Sequence, residues 1–190
     1  ERVKNLATEQ FDAGVRWMEQ GQCDHTPVGN RELCVKARIA FSRAFSMYPD
    51  GLGALRNLAN VEQALELWAS ASKHYRELAR RAPLDPKPAR RGWADLAIRE
   101  LRPIENRIPH LVINPPNPDP GGVRILVDGV SVPRETWSVP MELDPGDHTV
   151  EAQAPGFMPF SLSVSLQTAE TRALTIDLLR EPRAEAAPVV

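Results

Sequence analysis

Residues 37–49 read ARIAFSRAFSMYP, and residues 71–83, 34 positions on, read ASKHYRELARRAP. Ala37, Phe41, Ala44 and Pro49 therefore fall onto Ala71, Tyr75, Leu78 and Pro83, giving small, aromatic, apolar and proline positions at one offset. A fixed period of this length closed by Pro predicts stacked helix-turn-helix units, none of which can bury its apolar face without a neighbour. The first half of the chain is thus expected to be an all-α scaffold.

Working outward, Leu6, Phe11, Val15, Trp17 and Met18 recur at helical spacing over residues 3–20, and Gly21 follows where a helix end favours it. Residues 22–30 are turn formers. A second helix is expected over 32–47, broken by Pro49, Asp50 and Gly51; a third over 52–65; a fourth over 68–81, stopped by Pro83. A fifth, over 86–106, carries Trp93, Leu96, Ala97, Leu101 and Ile104 on one stripe and its arginines on the other, as a capping helix should.

After Ile108 the period changes. Asn114–Pro120 is rich in Pro and Asn and reads as an extended connector. Beyond it Val123, Ile125 and Val127 alternate with Arg124, Leu126 and Asp128, and Asp128-Gly129 supplies a hairpin turn. Further strands are expected over 137–143, 148–154, 160–166 and 174–178, with one more at 111–113 before the connector. Turns at Asp144-Pro145-Gly146 and Pro155-Gly156 separate them. Short strands at this density predict a small antiparallel β-sandwich. The expected class is α+β multidomain, divided as a helical repeat over 1–108, a connector with a first strand over 109–120, a sandwich over 121–179 and a flexible tail over 180–190.

The helical half resembles a tetratricopeptide repeat array, on Gly14, Ala37, Phe41, Ala44 and Pro49 in the first copy and Ala59, Ala71, Tyr75, Leu78 and Pro83 in the second. Small residues let paired helices approach, and Phe41, Tyr75, Trp17 and Trp68 fill the space between pairs. The first copy departs from the family by an insertion of about 11 residues that holds both cysteines. The later turns, Val127-Asp128-Gly129, Leu143 to Val150 and Ala154-Pro155-Gly156-Phe157, are similar to the PEGA domain, a small sandwich of bacterial and archaeal envelope proteins. That signature is mostly turn chemistry and implies a fold more than an activity.

Composition is that of a globular chain, 42% hydrophobic over 190 residues with net charge -2. The net figure conceals an asymmetry: residues 1–108 hold 18 Lys or Arg against 14 Asp or Glu, and 109–190 hold 5 against 11. Cys23 and Cys34 close a short polar loop and read best as a disulfide in an oxidising compartment. The alternatives are two free thiols, or a zinc site completed by His25, which lacks the usual ligand spacing. No apolar run is long enough to span a bilayer as a helix. The first residue is Glu, so the expectation is the extracytoplasmic part, periplasmic or envelope-bound, of a longer precursor, anchored by a segment outside this sequence.

Catalytic patterns are missing: there is no GxSxG, HExxH or phosphate-binding Gly-Lys-Ser/Thr, and His25, His74, His110 and His148 are scattered. The expectation is no enzyme, no cofactor, no metal and no nucleic-acid partner. His148 is expected to be structural, and Asp144 and Asp147 to be solvated turn residues. The candidate site is the surface lined by the first helix of each pair. There Arg56 and Asn60, and on the cap helix Lys87 and Arg91, share the four-residue spacing of one helix face. By resemblance to the tetratricopeptide family, Lys or Arg with Asn implies a clamp for a peptide carboxylate. The expected function is a non-catalytic envelope scaffold binding a protein or peptide, acidic in the case of the clamp. The alternative is an envelope glycan or peptidoglycan binder using Trp137, Phe157 and Phe160 of the sandwich.

Overall fold

The structure, a computed structural model, describes residues 1–24 and 28–182. It is an α+β molecule whose helices precede its strands. The chain forms two compact units: Glu1–Pro109 together with Leu143–Pro145, and His110–Glu142 together with the chain from Gly146 on.

The helical unit contains α1 (Arg2–Gln20), α2 (Arg31–Met47), α3 (Leu52–Ala64), α4 (Trp68–Arg81), the short α5 (Pro88–Arg91) and α6 (Trp93–Glu105). Asn30 starts α2 by accepting the Leu33 N–H at 3.1 Å, and Glu32 adds a negative charge to its first turn. Successive helices pack α1 on α2, α2 on α3, α3 on α4 and α4 on α6. Helix α3 is the centre of the unit. Its Leu52, Leu55 and Ala59 join Trp68, Ala71, Tyr75, Leu78, Ala97 and Ile104 in one apolar cluster. Leu58 and Val61, on its other side, join Cys23, Cys34, Ala37 and Phe41 in a second. The offset positions Ala37, Phe41 and Ala44, and Ala71, Tyr75 and Leu78, are all buried, so both copies of the pattern point their matching residues inward. Cys23 and Cys34 form a disulfide between the end of α1 and the start of α2.

One local expectation in this half is corrected. The cap helix over 86–106 is not continuous: α5 ends and α6 begins at Gly92, and Pro88 at the start of α5 leaves Lys87 extended. Gly21 ends α1 as expected, in right-handed conformation (φ -82°). Its lack of a side chain is needed for another reason. A Cβ there would lie 2.8 Å from Cys23 Sγ and 3.0 Å from Cys34 Sγ, so the residue is small to admit the disulfide.

The second unit holds two sheets, β4-β1-β7 and β3-β2-β5-β6. The strands are β1 (His110–Asn114), β2 (Arg124–Val127), β3 (Val130–Ser131), β4 (Met141–Glu142), β5 (Gly146–Gln153), β6 (Phe160–Leu166) and β7 (Thr171–Thr175). Alternation buries Leu111 and Ile113 of β1, Ile125 and Val127 of β2, Val150 and Ala152 of β5, and Val164 and Leu166 of β6. Asp128 and Gly129 both take positive φ (49° and 76°) in the β2–β3 turn, which pairs Val127 with Val130.

Here too the expectations need revision. The pairing is not wholly antiparallel, because β1 runs parallel to β7 from His110–Thr171 to Asn114–Thr175. The strand expected over 137–143 shrinks to Met141–Glu142: Pro133 and Pro140 bracket a helical turn at Arg134–Thr136, and Ser138 takes φ 60°. The connector is tied at its end, where Asp119 accepts the Gly121 N–H and pairs with Arg134. Those contacts, the Gly121 hydrogen bond foremost, hold the Asp119 carboxyl below the usual range despite some opposing desolvation. The tail expected to fray from 180 remains attached as far as Glu181, whose N–H donates to Gly156 O at 3.0 Å. Residues 183–190 of that tail, and His25 of the cysteine loop, lie outside the described residues.

Candidate functional site

Helix α3 presents Arg56 and Asn60 one turn apart, as its period requires. Both line a cleft of about 250 Å³ with Gln63, Tyr75, Leu96 and Glu100. Apart from Arg56, the polar side chains here already engage one another. The Tyr75 hydroxyl lies 3.0 Å from Asn60 Oδ1 and 2.5 Å from Gln63 Oε1, and Gln63 Nε2 donates to Glu100. Burial, reinforced by Glu100 and opposed by Arg56, pushes the Tyr75 phenol well above its ordinary range. The Arg56 guanidinium sits 4.9 Å from the Trp93 ring centre, and its buried Nε has no hydrogen-bond partner. This cleft therefore contains a carboxylate of its own and engaged amides, a poor receptor for an anion.

Lys87 and Arg91 do not join it. Lys87 precedes α5 with φ -87° and ψ 109°, so its spacing from Arg91 is not that of one helix face. Its backbone N–H donates to Asp85 Oδ1 at 2.7 Å, while Arg91 Nε donates to the Asp85 carbonyl. The residues expected to act together as a clamp thus divide into two places, because the chain turns at Pro86 and Pro88.

A larger opening lies where α1, the α2–α3 turn and the α4–α5 segment converge. It has a volume of about 680 Å³ and is lined by Lys4, Tyr48, Asp50, Arg80, Arg81, Leu84, Asp85, Lys87 and Arg90. Adjoining it is a trough of about 200 Å³ lined by Ala7, Thr8, Phe11, Ala44, Gly53 and Ala54. Lys4, Tyr48, Gly51 and Arg90 line both, so the two spaces are continuous. The trough exists because small residues line up at Ala7, Ala44, Gly53 and Ala54, while Phe11 is held by the buried Phe41 ring at a centroid distance of 5.7 Å. Sequence reasoning found Phe11 and Ala44 as packing residues but not this opening. Lys4 and Arg90 carried no signal beyond their charge.

A second feature missed in the sequence is Glu62. Its side chain is almost wholly buried, yet its oxygens meet Arg38 Nε at 3.3 Å and His74 Nδ1 at 2.5 Å. One carboxylate thereby ties α2, α3 and α4. Asp144 is also corrected. It is not a solvated turn residue: with Leu143 and Pro145 it belongs to the helical unit, and its carboxylate accepts both the N–H and the hydroxyl of Ser70 in the first turn of α4.

In the β unit, Asp128 Oδ2 lies 2.7 Å from His148 Nδ1, and Asp128 Oδ1 accepts the Thr149 N–H at 2.9 Å. Partial burial works against ionisation of Asp128, but the hydrogen bonds from His148 and Thr149 prevail and its pKa is lowered. The aromatics singled out for glycan contact, Trp137, Phe157 and Phe160, are half-buried. Guanidinium groups already face two of them, Arg134 at 5.0 Å from the Trp137 ring centre and Arg180 at 5.7 Å from that of Phe157. Among the described residues no three His, Cys, Asp or Glu side chains group as a metal site, and no helix is long and apolar enough to cross a membrane. No protein-family model matches this sequence, and no curated protein matches it.

Proposed function

We propose that this chain is a non-catalytic scaffold of the bacterial cell envelope, in which a tetratricopeptide-like array binds a protein or peptide partner and a PEGA-like sandwich follows it. The repeat reading is supported by the inward placement of Ala37, Phe41 and Ala44 and of Ala71, Tyr75 and Leu78. The Cys23–Cys34 disulfide fits an oxidising compartment. The observation that carries the binding role is the continuous opening along α1 and α3, an apolar trough leading into a wider polar cleft. Glycan binding through the β unit has less in its favour, since the Arg134 and Arg180 guanidinium groups stand where sugar rings would stack on Trp137 and Phe157.

The test is selection of a displayed random-peptide library on the full chain, with a photo-crosslinking residue at Thr8, which is exposed and lines the trough. Enriched peptides should crosslink from that position and lose binding when Thr8 is replaced by Trp. Failure to enrich any peptide above the bare support would refute the reading. So would peptides that crosslink only from a control position, Lys36, on the outside of α2.

A further inference from the structure

The charge around the opening selects among peptides. Five cations, Lys4, Arg80, Arg81, Lys87 and Arg90, face two carboxylates, Asp50 and Asp85. Three of the five are already engaged. Arg80 is held by both oxygens of Glu77, Arg81 is shared by Asp50 and Glu77, and Arg90 lies 3.5 Å from Asp85 while its guanidinium faces Trp93. The two lysines differ. Among the described residues the Lys4 ammonium meets the ring of Tyr48, at 5.4 Å, and neither it nor the Lys87 ammonium has an acidic partner there. Asp85, the nearest carboxylate in sequence, is buried and occupied by the Lys87 N–H and by Arg90.

We infer that the helical unit binds an extended peptide segment that seats one apolar side chain in the Ala7, Phe11, Ala44, Ala54 trough and lays adjoining acidic residues between Lys4 and Lys87. This rests on the reading that the helical surface binds a peptide, and names what kind. The trough, at about 200 Å³, suits a single side chain of leucine or methionine size. Lys4 and Arg90 line both spaces, so the acidic residues must neighbour the apolar one directly. The cations come from α1, the end of α4 and the start of α5 and border a space more than three times the trough's volume, which suits a run of carboxylates better than one small anion. Leu84, 83% exposed on the wall of the cleft, adds an apolar contact on the same path.

The experiment is fluorescence anisotropy on the full chain with short dye-labelled peptides: one with a leucine followed by glutamates, one with alanine in place of the leucine, and one with lysines in place of the glutamates. The leucine–glutamate peptide should bind best. Lys4→Glu with Lys87→Glu should weaken it about tenfold, and Thr8→Trp should weaken it independently of the charges. All three positions are exposed, so unchanged thermal melts by circular dichroism will separate lost binding from lost fold. Equal affinity for the glutamate and lysine peptides, or no response to the paired charge reversal, overturns the inference. A library-selected peptide that crosslinks at Thr8 and responds to Thr8→Trp but ignores the paired charge reversal would leave the general reading standing and remove this one. Failure to obtain any binding peptide removes both.

Discussion

At the scale of single residues, the tightest constraint is between Gly14 and Phe41. A Cβ on Gly14 would lie 2.7 to 3.0 Å from three ring atoms of Phe41, which is itself fully buried and cannot retreat into solvent. Alanine in mid-helix gains about 1 kcal/mol over glycine through propensity, but overpacking a core costs about 1–3 kcal/mol. Gly14→Ala should therefore lower stability by about 1 kcal/mol net, and Gly14→Val by about 3 kcal/mol. The cause can be isolated with Phe41→Leu, which should cost less in the Gly14→Ala background than in the wild type when urea unfolding is compared in a double-mutant cycle. Additive losses would show that the ring is not what the new methyl meets. Asp128 yields a prediction in pH. Its folded-state pKa lies below the ordinary 3.8, so its contribution to stability is complete above that value and is lost as pH falls through the lowered pKa. Asp128→Asn keeps a residue that tolerates positive φ but removes the charge. The variant should be less stable than wild type at neutral pH, and the gap in urea midpoints should close below about pH 4. A gap that stays constant with pH would assign the loss to turn geometry instead.

At the scale of elements, one buried carboxylate and one covalent bond hold the helices in register. Glu62 satisfies Arg38 from α2 and His74 from α4, and its removal would leave both side chains without their shared carboxylate partner. Glu62→Ala should cost about 3 kcal/mol in chemical denaturation, and Glu62→Gln less, because the amide retains one acceptor. Equal losses would mean that charge has no part in the link. The Cys23–Cys34 bond closes a loop with a sequence separation of 11, for which chain entropy gives about 3 kcal/mol. Both sulfurs are fully buried, so replacing the pair by serine should lower the melting temperature by more than that term alone. This scale also shows what the sequence could reveal. The 34-residue offset was legible because packing between helices demands small and bulky residues at fixed positions, and the Asp128-Gly129 turn because positive φ restricts residue choice. Glu62 was not legible, since an acid at a buried position looks like any surface acid until Arg38 and His74 arrive from elsewhere in the chain. Lys87 and Arg91 misled for the converse reason: their spacing is helical in sequence, yet Pro86 and Pro88 keep Lys87 outside the helix. The parallel β1–β7 pairing, between residues some 60 positions apart, left no local mark at all.

At the scale of the whole molecule, charge is divided along the chain, with 18 Lys or Arg against 14 Asp or Glu in residues 1–108 and 5 against 11 in residues 109–190. The ammonium groups of Lys4 and Lys87 lie in the positive half, on the cleft proposed to receive acidic residues. Exposed charges of this kind act mainly before contact: they bias diffusion toward the cleft and are screened over a Debye length of about 10 Å at 0.1 M salt. The apolar trough acts after contact, through burial, which simple salt screening leaves largely intact. Rates should separate the two contributions. In stopped-flow measurements with the leucine–glutamate peptide, raising salt from low to high ionic strength should reduce the association rate constant roughly threefold to tenfold while the dissociation rate constant changes little. Thr8→Trp should do the reverse, accelerating dissociation with association nearly unaltered. If salt acts chiefly on dissociation, Lys4 and Lys87 hold the bound carboxylates in close ion pairs instead of steering them.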